Sequence, residues 1–204
     1  MITVGLTGSS GSGKGYVSDI FKDSGIPCLD TDKVCRDVYR KGEECYYDLV
    51  SYFGNEILDS SEEIDRKSLL NIAFPNKDKY EKLNSIAFLH IMKRTKKWIS
   101  EKEAEGEQII VIDAPMLFES GFDKLCDKVV CVTADINTQI SRIMHRDGIS
   151  EEVAVSRLKK QKSNQYYESK SDYVLDNSSS NEGNIWNDTK RLVGLLRRSS
   201  AGKD

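Results

Sequence analysis

The feature that leaves this chain the fewest choices lies in its first fourteen residues. Ile2 to Thr7 is a short apolar run that opens directly onto Gly8-Ser9-Ser10-Gly11-Ser12-Gly13-Lys14, a match to G-x-x-x-x-G-K. The glycines let the backbone wrap a phosphate with successive N–H groups pointing inward. A helix beginning at Lys14 adds its positive end to that cradle. Val17, Ile20 and Phe21 supply the helical spacing as far as Ser24, and Gly25 suits the stop. Ile26-Pro27-Cys28-Leu29-Asp30 then reads as a second strand entering a turn. Strand, loop, helix and strand within about thirty residues make a βαβ unit, hence a parallel sheet. Lys14 is a point charge for the β- and γ-phosphates of ATP. The competing reading is a glycine-rich turn with a solvated lysine.

One position departs from the motif. A Ser or Thr normally follows the lysine and its hydroxyl ligates Mg²⁺. Here Gly15 and Tyr16 follow, and a tyrosine hydroxyl lies too far from its backbone to substitute. Mg²⁺ is then left to ATP oxygens, water and carboxylates, which suits an ion that dehydrates reluctantly.

Further along, residues 33 to 105 read as helical and charged, with Leu83, Ile86, Ala87, His90 and Ile91 on one face of a helix starting near Lys77. Gly106 ends that region. Gln108 to Asp113 and Val129 to Thr133 are continuous apolar strands, the kind a sheet covered on both faces requires. Residues 135 to 168 read as two helices around Gly148. Tyr173 to Asn177 reads as a last short strand, Ser178 to Asn184 as a turn-rich loop, and 185 to 198 as a closing helix with a frayed tail from Ser199. Alternating strands and helices predict an α/β, doubly wound parallel sheet of about five strands, with ligands at the carboxyl ends of the strands.

Three sets of charged residues fall where such a sheet places its ligand. Asp30 and Asp32 end the second strand, and in extended geometry both face one side. Either accepts the proton of an attacking hydroxyl, or Asp32 simply caps the next helix. Asp113 ends the Ile-Ile-Val-Ile run, as a carboxylate that binds Mg²⁺ through water does, or as a plain strand-end turn residue. Residues 138 to 165 hold six Lys and Arg against three carboxylates, and Arg142 and Arg146, four apart, share a helix face. Two guanidinium groups so placed suit ATP phosphates and a flap closing over them. A solvated basic face or a nucleic-acid contact is the alternative. His90 and His145 have no partner at a recognisable spacing and read as polar surface residues.

Composition narrows the class. With 204 residues, 38 % hydrophobic and 31 % charged, the chain is an ordinary globular protein, and its net charge of −3 exerts no pull on nucleic acid or anionic membrane. No apolar run approaches the roughly eighteen residues of a membrane helix. The N-terminus reads as a strand and not a signal peptide. Five cysteines without C-x-x-C spacing read as reduced, mostly buried thiols in a cytoplasmic protein; a redox or zinc role is the alternative.

Taken together these stretches resemble the dephospho-coenzyme A kinase family, from Ile2 to about Leu196. The phosphate loop, Asp30-Thr31-Asp32, Phe53-Gly54-x-x-Ile57-Leu58 with Ile64-Asp65-Arg66 and Leu69, and above all Asp113-x-Pro115-x-Leu117-Phe118-Glu119-x-Gly121 carry the resemblance. Arg142-x-x-x-Arg146-Asp147-Gly148-x-Ser150 and Asp172-Tyr173-Val174-x-Asp176-Asn177 extend it. It implies a single domain over 1–204, with a core of 1–32, 106–135 and 169–198, a substrate lobe at about 33–105 and a lid at about 136–168. It implies ATP-dependent, Mg²⁺-assisted phosphorylation of the ribose 3′-hydroxyl of dephospho-coenzyme A by a monomer. Asp32, Lys14 and Arg146 would be catalytic. ATP would meet Gly8, Ser9, Ser10, Gly11, Ser12, Gly13, Lys14, Gly15, Tyr16, Arg142 and Asn177, the last near the adenine. The acceptor would meet Asp32, Phe88, Pro115 and Leu117. Besides Gly15-Tyr16, one more departure matters: Phe88-Leu89 replaces a His-Pro pair that faces the acceptor. A phenyl ring stacks on a base but donates no hydrogen bond, which points to weaker acceptor binding or a related acceptor. A kinase for another nucleotide or nucleoside, or a weakly active nucleotide-binding regulator, therefore stays open at this point.

Overall fold

The computed structural model describes residues 1–178 and 184–201. In chain order they form β1 (Ile2–Thr7), α1 (Lys14–Asp23), β2 (Cys28–Asp30), α2 (Thr31–Val38), α3 (Glu44–Phe53), α4 (Arg66–Ala73), α5 (Lys77–Ala104), β3 (Ile109–Asp113), β4 (Lys128–Thr133), α6 (Ile136–Asp147), α7 (Glu151–Lys159), α8 (Asn164–Glu168), β5 (Tyr173–Asp176) and α9 (Asn184–Ala201). The five strands form one sheet in the order β2-β3-β1-β4-β5, and β1 runs parallel to both β3 and β4. This is the doubly wound α/β sheet that the strand pattern predicts.

The chain separates into two compact units: Met1–Leu29 with Lys102–Asp204, and Asp30–Glu101. In the first, β1 is the central strand and every one of its residues is buried. Alternate residues face opposite sides of a strand. Ile2, Val4 and Leu6 accordingly join Val17 and Phe21 of α1 and Leu192, Val193 and Leu196 of α9 in one core cluster. Burying a side chain of this kind stabilises by roughly 1.5–3 kcal/mol. Gly5 faces the other way. A Cβ there would come within 2.9 Å of Leu117 and 2.8 Å of the Cys126 sulfur, so only glycine admits them. The register sets Leu6 beside Asp113 and Thr7 beside Cys131, so the phosphate loop leaves the sheet where β3 and β4 also end.

The second unit is helical around Leu49, Ile57 and Leu69, each essentially without solvent exposure. Its middle departs from the sequence reading. Residues 54–65 are not regular helix: Asn55–Ile57 is a 3₁₀ turn, and Leu58 and Ile64 make an isolated antiparallel bridge. The cause is Asp59, whose carboxylate accepts the Ser61 and Glu63 N–H groups at 2.8 and 3.1 Å and diverts the backbone from helix. His90 is also corrected. Its Nε2 lies 2.7 Å from Asp48 Oδ2 and its side chain is only 10 % exposed, so it is a packed, partnered residue.

Two other expectations change. Residues 135–168 hold three helices, because Ser163 starts α8 by accepting the Tyr166 N–H at 3.3 Å. The closing helix continues through Ser199 and Ser200 to Ala201, longer than 185–198, and residues 202–204 of the expected frayed tail lie outside the described residues. Residues 179–183 of the expected Ser178–Asn184 loop lie outside the described residues. All five cysteines are free thiols. Burial pushes Cys28, Cys45 and Cys126 up to about 12, which keeps them protonated at neutral pH.

Candidate active site

The phosphate loop takes its shape from glycines that cannot be replaced. Gly8, Gly11 and Gly13 have φ of 152°, 77° and 92°. A Cβ on Gly8 would meet the Val132 carbonyl at 2.3 Å, and one on Gly13 would meet Asn177 Nδ2 at 2.0 Å. Among the described residues no side chain caps α1, and its first turn carries no acid. The helix therefore presents its first N–H groups and its positive end to the loop's interior.

Lys14, the first residue of α1, forms an ion pair with Asp113 at the end of β3. Both are largely buried, with side chains 18 % and 8 % exposed. The two sequence motifs are thus brought into direct contact across the sheet's carboxyl edge. The Thr7 hydroxyl donates to the Pro115 carbonyl at 3.4 Å, tying the loop after β3 to the same edge.

Arg142 and Asn177 both reach the loop, but from its carbonyl side. Arg142 Nη1 donates to the Gly11 and Ser12 carbonyls at 3.3 and 3.4 Å, and Asn177 Nδ2 donates to the Ser12 carbonyl at 2.8 Å. These two side chains thus pin the loop's backbone by its carbonyls. Arg146 Nη2 lies 3.5 Å from Ser10 Oγ. It also makes a two-pronged pair with Asp147, at 2.7 and 3.0 Å, and Arg157 binds the same carboxylate. The Arg146 guanidinium, with Arg157 and despite some desolvation, holds the Asp147 carboxyl down at about 2.

Three loop contacts have no counterpart in the motif reading. Ser9 Oγ donates to Asn164 Oδ1 at 3.1 Å, Gln139 Nε2 donates to Ser9 Oγ at 2.8 Å, and the Ser10 N–H donates to Gln161 Oε1 at 2.9 Å. Asparagines and glutamines 130 or more residues from the loop give no local signal. Asp147 stood inside the quoted lid pattern without a role.

The remaining expected residues sit as follows. Tyr16 is half exposed on α1, and Gly15 has open space around it. Leu117, expected against the acceptor, is instead fully buried beneath Gly5, because its apolar side chain fills the space that Gly5 leaves. Pro115 is half-buried behind Asp113. In the helical unit, Phe88 is half-buried on α5, while Asp32 lies in the first turn of α2. Asp30 and Asp32 are not side by side on a strand: Asp30 is the helix cap, accepting the Asp32 and Lys33 N–H groups at 2.8 and 3.2 Å. The capping role expected of Asp32 thus belongs to Asp30.

Among the described residues no group of three or more His, Cys, Asp or Glu could hold a metal. The donor set at the loop, Asp113 with Gly15 contributing no hydroxyl, fits Mg²⁺ in a specific way. This ion keeps several waters and binds through one or two carboxylates plus substrate phosphates, so it needs no protein cage.

The family profile described as dephospho-CoA kinase matches residues 2–182. A dephospho-CoA kinase of Fusobacterium nucleatum is 40 % identical over 182 residues, covering 89 % of this chain and 92 % of its own. One from Arabidopsis thaliana is 42 % identical over 180 residues, covering 88 % and 78 %. Among solved structures, TT1252 from Thermus thermophilus aligns with a TM-score of 0.78 at 24 % identity over 97 % of both chains. A dephospho-CoA kinase from Campylobacter jejuni aligns with a TM-score of 0.71 at 24 % identity over 99 % and 98 %. These structural likenesses speak to the fold.

Proposed function

The chain belongs to the dephospho-CoA kinase family, and on that premise we infer how its residues divide the reaction. It is an ATP-dependent phosphotransferase that phosphorylates the 3′-hydroxyl of dephospho-CoA to give CoA. The acceptor oxygen attacks the γ-phosphorus, the bond from that phosphorus to the β–γ bridging oxygen breaks, and ADP leaves. Asp32 takes the hydroxyl proton. The family pattern supports that role, as does its chain position two residues beyond β2. Lys14 and Arg146 hold the transferring group; the support is a lysine at the mouth of the loop and a guanidinium beside Ser10. The loop from Gly8 to Tyr16 cradles the phosphates, with Arg142 and Asn177 behind it and Asn177 towards the adenine. Phe88 and Pro115 meet the acceptor, while Leu117, buried beneath Gly5, does not reach it.

Mg²⁺, held by Asp113 through water, would neutralise charge on the phosphates. The protein works as a cytoplasmic monomer without nucleic acid; the cytoplasmic assignment draws on its five free, proton-bearing thiols.

The observation that carries this reading is the family match over residues 2–182, which spans both units. The test is CoA formation from purified protein, ATP, Mg²⁺ and dephospho-CoA, with ADP followed in parallel and AMP and adenosine as competing acceptors. CoA and ADP in equal amounts, with little ADP when the acceptor is left out, is the expected result. Transfer to AMP or adenosine in preference would overturn the acceptor assignment and trace to Phe88-Leu89.

A further inference from the structure

Gln139 and Asn164 do not belong to any motif, yet they hold the phosphate loop at its entrance. The Gln139 amide donates one hydrogen to Ser9 Oγ at 2.8 Å and the other to Asn164 Oδ1 at 3.1 Å. The Ser9 hydroxyl spends its single hydrogen on the same Asn164 oxygen at 3.1 Å. Asn164 Nδ2 then donates to the Ala134 carbonyl just beyond β4, at 2.7 Å. Each of these hydrogens has an acceptor, and the ring closes in only one orientation.

Burial makes the arrangement consequential. Gln139 is 3 % exposed and Ser9 7 %. An amide so buried is tolerated only while its bonds are made, and a satisfied network of this kind is rigid. Gln139 also touches the loop a second time. A Cβ on Gly11 would lie 2.6 Å from the Gln139 carbonyl oxygen, so its main chain sits directly on Gly11 while its side chain holds Ser9. The loop cannot slide along α6 without breaking one contact or the other.

Arg142 and Arg146 stand three and seven residues after Gln139 on the same helix, so all three lie on one face. Whatever fixes Gln139 against the loop fixes both guanidinium groups against it as well. We propose that Gln139 and Asn164 are positioning residues: through Ser9 they set the distance between the phosphate loop and the arginines of α6. The inference rests on the kinase reading for its consequence in catalysis, but its first effect is on phosphate binding.

The test compares Ser9→Ala, Asn164→Ala and the double variant. Asn164 is only partly buried and Ser9→Ala removes one atom, so both variants are expected to fold, and thermal melting checks this. Affinities for ATP, ADP and adenosine are measured alongside kcat and KM. Asn164→Ala should weaken ATP and ADP about tenfold and lower kcat/KM for ATP by about ten- to a hundredfold. Adenosine affinity and the KM for dephospho-CoA should stay within a factor of two. Because both residues act through one contact, the double variant should bind ATP no worse than the poorer single variant. Losses that multiply in the double variant, equal weakening of adenosine and ATP, or a lowered melting temperature with ATP affinity intact would each overturn the proposal. The binding measurements judge the network whether or not transfer occurs, so its failure separates from a failure of the kinase reading.

Discussion

The two units place their polar groups by opposite means. In the sheet-bearing unit the decisive contacts join residues far apart in the chain: Thr3 N–H to Asp127, Lys14 to Asp113, Gln139 to Ser9 and Asn177 to the Ser12 carbonyl, at separations of 99 to 165 residues. The last three lie at or near the carboxyl edge of the sheet, beside the phosphate loop, whereas Thr3 and Asp127 tie β1 to the start of β4 at the opposite end. In the helical unit the charges sit on the surface. Glu44 with Lys93 and Glu43 with Arg94 are open to water, and order comes from Leu49, Ile57 and Leu69. Exposed pairs are screened and contribute little. Losing a polar contact should therefore cost function in the first unit and almost nothing in the second, where losing an apolar one costs stability.

Asp32 is the sharpest challenge to that rule, since it is a charged residue of the helical unit to which the largest chemical effect is assigned. Asp32→Asn should lower kcat by about 10²–10⁴-fold with ATP affinity nearly unchanged. Isothermal titration beside the transfer assay reads both, and parallel loss of both would remove the general-base role. Leu49→Ala comes next. A fully buried leucine leaves a cavity worth about 2–5 kcal/mol, and hydrogen exchange should show the lost protection within residues 30–101. Equal loss in both units would mean that they unfold as one.

Gly15→Ser should lower the Mg²⁺ concentration for half-maximal rate several-fold by restoring a hydroxyl ligand. The added Cβ meets nothing within 4 Å, so the fold should not object, and an unchanged Mg²⁺ dependence would argue against the metal reading. Asp147→Asn tests the lid. Its carboxyl is held at about 2 against an ordinary 3.8, so its stabilisation is complete above the ordinary value and disappears as pH falls through 2. Wild type should melt above the variant near pH 5, with the gap closing on acidification. The smallest effect expected is that of Arg94→Gln, under about 1 kcal/mol and absent at high salt. A larger loss would show that the surface of the helical unit matters more than its exposure suggests.

The same division governs what is legible in the sequence. The phosphate loop, β1, β3, β4 and the buried face of α5 announce themselves, because glycine spacing and apolar periodicity are local signals. The clamp on the loop is silent: Gln139, Asn164 and Gln161 are ordinary amides until folding brings them to Ser9 and Ser10. Capping is intermediate. A cap is expected there of Asp32, and only the backbone geometry, with Asp30 extended and Asp32 helical, assigns it to Asp30. The break at 54–65 hangs on Asp59, whose turn bonds outweigh the helical propensity of its neighbours. His90 lacked a partner within its own helix because Asp48 belongs to α3.

β1 lies at the centre of the sheet, and this has a consequence for biosynthesis. The ribosome releases Ile2–Thr7 and the phosphate loop well before their flanking strands, residues 109–113 and 128–133. The nascent strand carries an apolar face and two open edges until residues 109–133 have been made, the state most exposed to aggregation. The loop is completed later still, when Asn177 arrives to grip the Ser12 carbonyl. A segment made early is thus completed late, and a ribosome stalled before Asn177 leaves a chain whose loop lacks that grip.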